Sequence, residues 1–328
     1  MVMRGLYFDS ATVYYRAFFA VPESVVAPDG SPSGAIRGFL DMVSTIIEQF
    51  PADVVAFAWD DDWRPQWRVD LIPSYKTHRL AVVDHEGVPE QEQGNIEEVP
   101  DTLGPQIEAI AQMLDAIGVP RLGGRGYEAD DILGSLVNQY QIPADVVTGD
   151  RDLFQLVNDQ RQVRVLSISK GVKRLEIVDG QALQEKYGVD GGLYAQFSLL
   201  RGDTSDGLPG VKGIGEKTAA KLLTEFGSLD ALLAEAKQAV SSLSPSIRKN
   251  LLDAEDYIQR ALQVVSVLTD APLPTLSMHT SNSVSALGVL GEIATDWGVE
   301  RHVNRLLKAL NMPTSVSYTH LTLPTILL

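Results

Sequence analysis

Three short runs rich in β-branched and aromatic residues, GLYF (5–8), DVVAFAW (53–59) and ADVVT (144–148), constrain the fold of this chain more than anything else in it. Each is bounded by turn residues, as buried strands are. Helical patterns separate them. From Gly34 to Gln49, residues Ile36, Phe39, Leu40, Val43, Ile46 and Ile47 recur at helical spacing, and Gly104 to Ile117 reads the same way. Strands alternating with helices predict an α/β fold with a mainly parallel central sheet flanked by helices. VRVLSIS (163–169) and RLEIV (174–178), joined by a turn around Gly171, read as an appended hairpin. From about Gln181 the strand signal stops, and YAQFSLLRG, EKTAAKLLTEF, LDALLAEAKQA, SIRKNLLDAEDYIQRALQVVSVL and GVERHVNRLLKAL read as helices. The pattern thus divides into an α/β core over 1–180 and an all-helical region over 181–313, with no internal repeat.

Composition narrows the chemistry. Hydrophobic content of 45% and a mean hydropathy of 0.00 suit a soluble globular protein, and no run of about 18 apolar residues exists to span a membrane. MVMRGLYFDS enters a strand directly, without signal-peptide architecture, so a cytoplasmic protein is expected. With no cysteine there is no disulfide, thiolate metal site or thiol nucleophile. The five histidines form no HExxH and no GxSxG occurs, which disfavours zinc and serine hydrolases. The net charge of −16 argues at first sight against a nucleic-acid partner. Leu80 to Leu103, rich in Glu, Gln, Gly and Pro, reads as an excursion outside the core. The last fifteen residues, TSVSYTHLTLPTILL, carry no Asp, Glu, Lys or Arg and follow a helix stop at Asn311-Met312-Pro313. A docked β-like tail is one reading. A non-native extension resembling translated vector or adapter sequence is the preferred one, so 314–328 is set aside.

The acids are not scattered. GLYF runs into Asp9, AFAW into Asp60, and ADVVTG into Asp150 with Asp152 two residues on. Sites in parallel α/β sheets lie beyond the carboxyl ends of the strands. Taken singly, Asp9 could cap a helix beginning near Ser10 and Asp152 one running through Leu156. Jointly, three strands delivering aspartates to one edge call for more than capping. RGYEADDILGSL (125–136) then packs Glu128, Asp130 and Asp131 into four positions. In helical geometry Glu128 and Asp131 share a face while Asp130 points elsewhere, and Ile132, Leu133, Leu136 and Val137 anchor the helix in the core. A helix N-terminus rewards an acid by roughly 0.3–1 kcal/mol, enough for one or two but not three. A hard divalent cation compensates them all. RGDTSDG adds Asp203 and Asp206 at i,i+3. An all-carboxylate site suits Mg²⁺ or Mn²⁺ and phosphoryl transfer, where two ions clamp the attacking and leaving oxygens.

Two further stretches carry signal. In LPGVKGIGEKTAAKLLTEFG (208–227), Gly213-Ile214-Gly215 precedes a helix with Ala219, Leu222, Leu223 and Phe226 as its apolar stripe and Gly227 as its C-cap. Glu216 stands where a P-loop needs its lysine, and a dinucleotide fingerprint lacks its third glycine and its strand. Two readings remain: a glycine hairpin whose backbone N–H groups approach a phosphate beside Lys212, Lys217 and Lys221, or a plain helix–turn–helix packing corner. WRPQWRVDLIPSYKTHR (63–79) interleaves Arg64, Arg68, Lys76 and Arg79 with Trp63, Trp67 and Tyr75. It suits a single-strand-binding segment or an amphipathic, solvated edge.

With these residues assembled, the chain resembles the bacterial 5′-3′ exonuclease family, the flap-endonuclease-like nucleases found alone and as the N-terminal domain of DNA polymerase I. The resemblance covers roughly 4–310 and rests on YFDSATVYYRAFFAVP, PSGAIRGF, IPSYKTHR, GYEADDILGSL, TGDRDLFQLV and KYGVDGGLYAQFSLLRGDTSDGLPGVKGIGEKTAAKLL, in that order. It implies a PIN-like nuclease core and a two-metal site held by Asp9, Asp60, Glu128, Asp130, Asp131, Asp150, Asp152, Asp203 and Asp206. It implies a helix–three-turn–helix element in which Lys212, Gly213, Gly215 and Lys217 grip duplex DNA, with a monovalent cation, K⁺, on its carbonyls. Tyr75, Lys76 and Arg79 match the base of a helical arch over about 64–103 that admits the 5′ strand, and Arg16 matches an arginine near the scissile phosphate. The implied substrates are DNA 5′ ends and flaps, and RNA–DNA hybrids, for a monomer working at the nucleoid in primer removal and repair. No polymerase-like sequence follows, which implies the stand-alone form. Two departures stand out: Gly207 where the family commonly has Asn, and an acidic rather than basic arch segment. With nine of the −16 charges assigned to one cluster, about −7 remains elsewhere, and the charge objection weakens. The competing reading is a structure-specific DNA-binding protein without hydrolysis. A small-molecule phosphatase gives no reason for the helical region.

Overall fold

The computed structural model describes residues 3–80, 97–276 and 284–313. Most of the acidic segment of the expected arch, 81–96, and the expected non-native tail, 314–328, lie outside the described residues. The elements run β1 (Gly5–Asp9), α1 (Ser10–Ala20), α2 (Gly34–Gln49), β2 (Val54–Ala58), α3 (Gln66–Leu71), α4 (Gly104–Ile117), β3 (Arg121–Leu122), α5 (Ala129–Tyr140), β4 (Ala144–Thr148), β5 (Val163–Ser167), β6 (Glu176–Val178), α6 (Gly180–Tyr187) and α7 (Gly191–Arg201). Helices α8 (Glu216–Phe226), α9 (Leu229–Lys237), α10 (Pro245–Asp253), α11 (Glu255–Val265), α12 (Val284–Asp296) and α13 (Glu300–Ala309) complete it.

One six-stranded sheet, ordered β3-β2-β1-β4-β5-β6, is parallel except for the β5–β6 pair. β1 is central, pairing Gly5 with Val54 on one side and with Ala144 on the other. All five of its residues are buried, as expected of a strand covered on both faces. The strand order reverses beside β1, so the crevice at the carboxyl ends of β1, β2 and β4 is the topological switch point. The expected strands, the helices at 34–49 and 104–117 and the β5–β6 hairpin are all present. β3, only two residues long, is an addition.

Compactness divides the chain differently from the change of pattern near 181. One unit comprises 1–13, 52–100 and 121–276, the other 14–51, 101–120 and 277–328. In the first, strand residues such as Val54, Val146 and Val165 share a core with Ile132 and Leu133 of α5, Phe197 of α7 and Leu223 of α8. In the second, α13 packs on α2 and α12 on α4, while the Gln106 side chain of α4 accepts the Ala35 N–H at 2.9 Å.

Helix α5 is pinned along its length by the chain that follows α11. Leu268 N donates to Asp131 Oδ1 (2.8 Å), Ala271 N to Ser135 Oγ (3.0 Å), and Gln139 Nε2 to the Ala271 carbonyl (2.7 Å). Gly134 makes that approach possible: a Cβ there would meet Val267 Cγ1 and lie 2.6 Å from the Leu268 carbonyl oxygen. On an open helix Gly→Ala gains up to about 1 kcal/mol. Here crowding reverses the sign, and Gly134→Ala should lower stability in urea unfolding by about 1–3 kcal/mol. A gain would show that this segment does not rest on α5.

Candidate active site

Asp9 ends β1 almost wholly buried. Its Oδ1 accepts the Thr12 N–H at 3.1 Å, and its Oδ2 accepts the hydroxyls of Thr12 and Thr148, the latter at 2.6 Å. It therefore caps α1 and faces the site at once. Burial pushes its carboxyl above the usual range, the threonines pull it back, and Asp150 adds repulsion. Asp60, two residues past β2, accepts the Ala129 N–H at 2.7 Å, which ties β2 to the start of α5. Asp150, two residues past β4, accepts the Asp152 N–H at 2.8 Å. Asp152 does not cap the short 3₁₀ turn it opens; its Oδ1 accepts the Ser198 hydroxyl at 3.3 Å.

The three neighbouring acids of GYEADD have three different fates. Asp131 is fully buried and saturated: both oxygens take Arg68 (2.7 and 2.8 Å), Oδ2 also takes the Glu128 N–H (3.0 Å), and Oδ1 the Leu268 N–H. Four protein donors thus occupy this carboxylate, and its assignment as a metal ligand stays with the resemblance. Glu128 is buried under the Tyr75 hydroxyl (2.9 Å), Lys76 Nζ (3.1 Å) and Arg68 Nη1 (3.3 Å). Asp130 is half-buried. Its carboxyl is pushed well above the usual range by burial, then by Asp150 and Asp9, with Lys76 opposing. Asp203 and Asp206 sit on the turn after α7. Asp203 takes Ser205 on one oxygen and Arg201 on the other (3.2 Å), while Asp206 lies 3.9 Å from Arg79.

The basic stretch 63–79 departs from expectation. Arg64 and Arg68 are 5% and 2% exposed and serve as internal braces: Arg64 Nε donates to the Tyr75 carbonyl (2.6 Å), and Arg68 Nε to that of Val264 (3.1 Å). Tyr75 is 3% exposed with its hydroxyl on Glu128, and its assignment as a DNA contact stays with the resemblance. Lys76 adopts a left-handed backbone conformation (φ +49°) that lysine rarely takes, held by its N–H on the Asp206 carbonyl (3.3 Å). Burial works against its charge, but Glu128, Tyr75, Asp206 and Asp130 outweigh it and hold the ammonium protonated. Gly207 completes this corner: with φ +73°, it lies where a Cβ would strike the Ser74 carbonyl oxygen. Glu97 was not anticipated. Asp60, Arg79 and Lys76 all act on its charge, although nothing in its acidic surroundings singles it out in the sequence.

The charges fall into two halves that share Asp150, whose charge acts on Asp9 and Asp130 and also on Asp152 and Asp206. Among the described residues, no three acidic or histidine side chains are drawn into a closed ligand set for one ion. The donor chemistry nevertheless fits Mg²⁺, which binds through one or two carboxylates and keeps its waters. Arg16 belongs to the second compact unit, and its assignment stays with the resemblance.

The glycine hairpin forms as a tight turn before α8. Gly213 takes φ +76°, Ile214 is buried, and the Lys212 carbonyl accepts Asn250 Nδ2 at 2.9 Å. Gly215 needs no such freedom and serves as N-cap of α8. Lys212, Lys217 and Lys221 are exposed.

A carboxylate cluster at the switch point of a mainly parallel sheet, with a glycine hairpin in the helices that follow, defines the class of fold. Residues 5–188 match the family described as 5′-3′ exonuclease, N-terminal resolvase-like domain, and 189–284 match 5′-3′ exonuclease, C-terminal SAM fold. The chain is 49% identical over 302 residues to the 5′-3′ exonuclease of Streptomyces coelicolor, covering 92% of this chain and 98% of that protein. It is 45% identical over 312 residues to that of Mycobacterium tuberculosis, covering 92% and 96%. The bacteriophage T5 flap endonuclease, solved with DNA and metal ions, shares the fold at a TM-score of 0.62 and 17% identity, over 94% of this chain and 100% of that one. The chain belongs to the 5′-3′ exonuclease family.

Crowded carboxylates have a thermodynamic signature. Burial first, then Asp150 and Glu128, push Asp206 from the ordinary 3.8 up to about 6 against the pull of Lys76 and Arg79. The folded state then binds this proton more tightly than the unfolded chain does. Stability of the metal-free protein should therefore fall as pH rises from about 4 through 6, by about 3 kcal/mol for this group alone. Asp9, Asp60, Glu128, Asp130 and Asp152 shift the same way. Urea midpoints in EDTA at pH 4.5 and 7 read the slope, which saturating Mg²⁺ should reverse at pH 7. A stability that rises with pH in EDTA would contradict the electrostatic picture.

Proposed function

We propose that this protein is a divalent-metal-dependent 5′-3′ exonuclease and 5′-flap endonuclease that hydrolyses DNA phosphodiesters. One observation carries the reading: five separate chain segments deliver mutually repelling carboxylates to one cluster beyond the carboxyl edge of β1, β2 and β4. The close relation to curated 5′-3′ exonucleases over nearly the whole chain supports it. Asp9, Asp60, Glu128, Asp130 and Asp150 would hold one side of the metal cluster, and Asp150, Asp152, Asp203 and Asp206 the other. Mg²⁺ or Mn²⁺ bound there would supply Lewis-acid stabilisation of charge developing on the phosphate and on the attacking and leaving oxygens.

The protein's own groups do the rest. Lys76 and Arg79 sit beside Glu128 and Asp206, where they would neutralise and orient the scissile phosphate. Thr12 and Thr148 hold Asp9 in one rotamer. Exposed Lys212 and Lys217 flank the hairpin whose backbone would approach the duplex phosphates, with K⁺ as the monovalent ion on its carbonyls. RNA–DNA hybrids fit the same backbone-directed contacts. A monomer acting at the nucleoid, and an α/β core at 1–180 followed by a DNA-binding helical region at 181–313, complete the proposal.

Two measurements test it. On a 5′-labelled flap with Mg²⁺, Asp150→Ala should cut the cleavage rate at least about a hundredfold, a barrier increase of about 2.7 kcal/mol. Equal cleavage by both proteins would sink the site assignment, and binding without turnover by the unaltered protein would favour a non-hydrolytic DNA-binding role. Lys217→Ala should weaken binding of every duplex sequence alike and reduce the slope of log affinity against log salt by about 1. An unchanged slope would remove this lysine from the interface.

A further inference from the structure

We propose that Arg201 is a resident cation of the acid cluster that sets how tightly the Asp152–Asp203 half takes a divalent ion. The inference rests on reading these acids as metal ligands. Arg201 is the last residue of α7, immediately before the turn that carries Asp203 and Asp206. Its side chain is only 12% exposed and lies over the Phe197 ring, 5.3 Å from the centroid. Nη2 donates to Asp203 Oδ2 at 3.2 Å and to Ser198 Oγ at 3.4 Å, and Nε to the Gly202 carbonyl at 3.2 Å. Ser198 in turn donates to Asp152 Oδ1 at 3.3 Å, so one guanidinium reaches both acids, directly and through a hydroxyl. Its charge favours the ionised form of Asp152. Nη1 is buried without a hydrogen-bond partner, so this charge is held beside the acids with donor capacity unused.

Both Asp203 oxygens are thus engaged, Oδ1 by Ser205 and Oδ2 by Arg201. A guanidinium stays protonated at any working pH, so its field at this spot is permanent. A divalent ion using Asp203 Oδ2 must approach against the like charge at Nη2. The Asp9–Asp130 half has resident cations of its own, Lys76 and Arg68, and both are paired with Glu128. Removing the Arg201 charge should therefore tighten the half beside it and leave the other half nearly unchanged.

Mn²⁺ titration of the full chain, followed by the free-ion EPR signal, tests this without turnover. Arg201→Met keeps the stem over Phe197 and removes the charge. It should tighten one Mn²⁺ site at least about tenfold and leave the other within about twofold, as removal of a like charge a few ångströms away implies. Arg201→Lys should titrate like the unaltered protein. If Arg201→Met does not fold, by circular dichroism, Arg201→Gln gives the same readout. Superimposable isotherms for the unaltered protein and a folded, neutral variant overturn the inference alone. No Mn²⁺ binding by the unaltered protein overturns the metal-site reading as well.

Discussion

One buried guanidinium holds the start of α5 where the site needs it. Arg68 engages both oxygens of Asp131, lies 3.3 Å from Glu128, and reaches the Val264 carbonyl at the end of α11. Asp131 returns hydrogen bonds from the Glu128 N–H and the Leu268 N–H. Helix α3, the N-terminus of α5 and the chain leaving α11 are thereby joined at one point. Burial alone would lower the proton affinity of Arg68, but Glu128 and Asp131 outweigh it. Removing one member of such a pair costs about 3–5 kcal/mol, whereas replacing the whole set by apolar residues is often neutral. Its worth therefore lies in geometry more than in stability: it fixes which way Glu128 and Asp130 leave the helix.

The same arrangement shows how the protein tolerates three acids in four positions. Asp131 is neutralised inside by Arg68, and Glu128 at the boundary by Lys76 and the Tyr75 hydroxyl. Asp130 remains under the repulsion of Asp150 and Asp9, with Lys76 opposing it. A helix dipole does not discriminate among neighbours in this way; position relative to specific partners does. The residual repulsion is concentrated on the side chain that faces the sheet edge, which is where an added cation lowers the energy most.

Much of this was legible in the sequence because it is local. The period of Gly34–Gln49 and Gly104–Ile117, the run ADVVT and the acids ending each strand depend on neighbours a few residues away. What was misread depends on partners far along the chain. Arg64 and Arg68, interleaved with tryptophans, have the composition of a nucleic-acid-binding edge, and only the contact with Asp131, 63 residues on, reveals a buried brace. The burial of Tyr75 was hidden for the same reason, its partner Glu128 lying 53 residues away. β3 escaped notice because two residues have no period, and the close approach at Gly134 because a glycine in a helix does not announce what packs on it.

On the proposed reading, the distribution of fixed cations resolves the conflict between an acidic chain and a polyanionic substrate. Arg68, Lys76 and Arg201 are paired with Asp131, Glu128 and Asp203, and each pair is largely withdrawn from solvent. Such pairs contribute little to a long-range field, since each cation is cancelled by its partner at hydrogen-bond distance. The exposed lysines of the hairpin, Lys212, Lys217 and Lys221, are left to attract a phosphate backbone from a distance. Attraction and chemistry are then divided between separate parts of the chain. A screened patch of few lysines makes the first step salt-sensitive, while the buried carboxylates make the second depend on divalent ions.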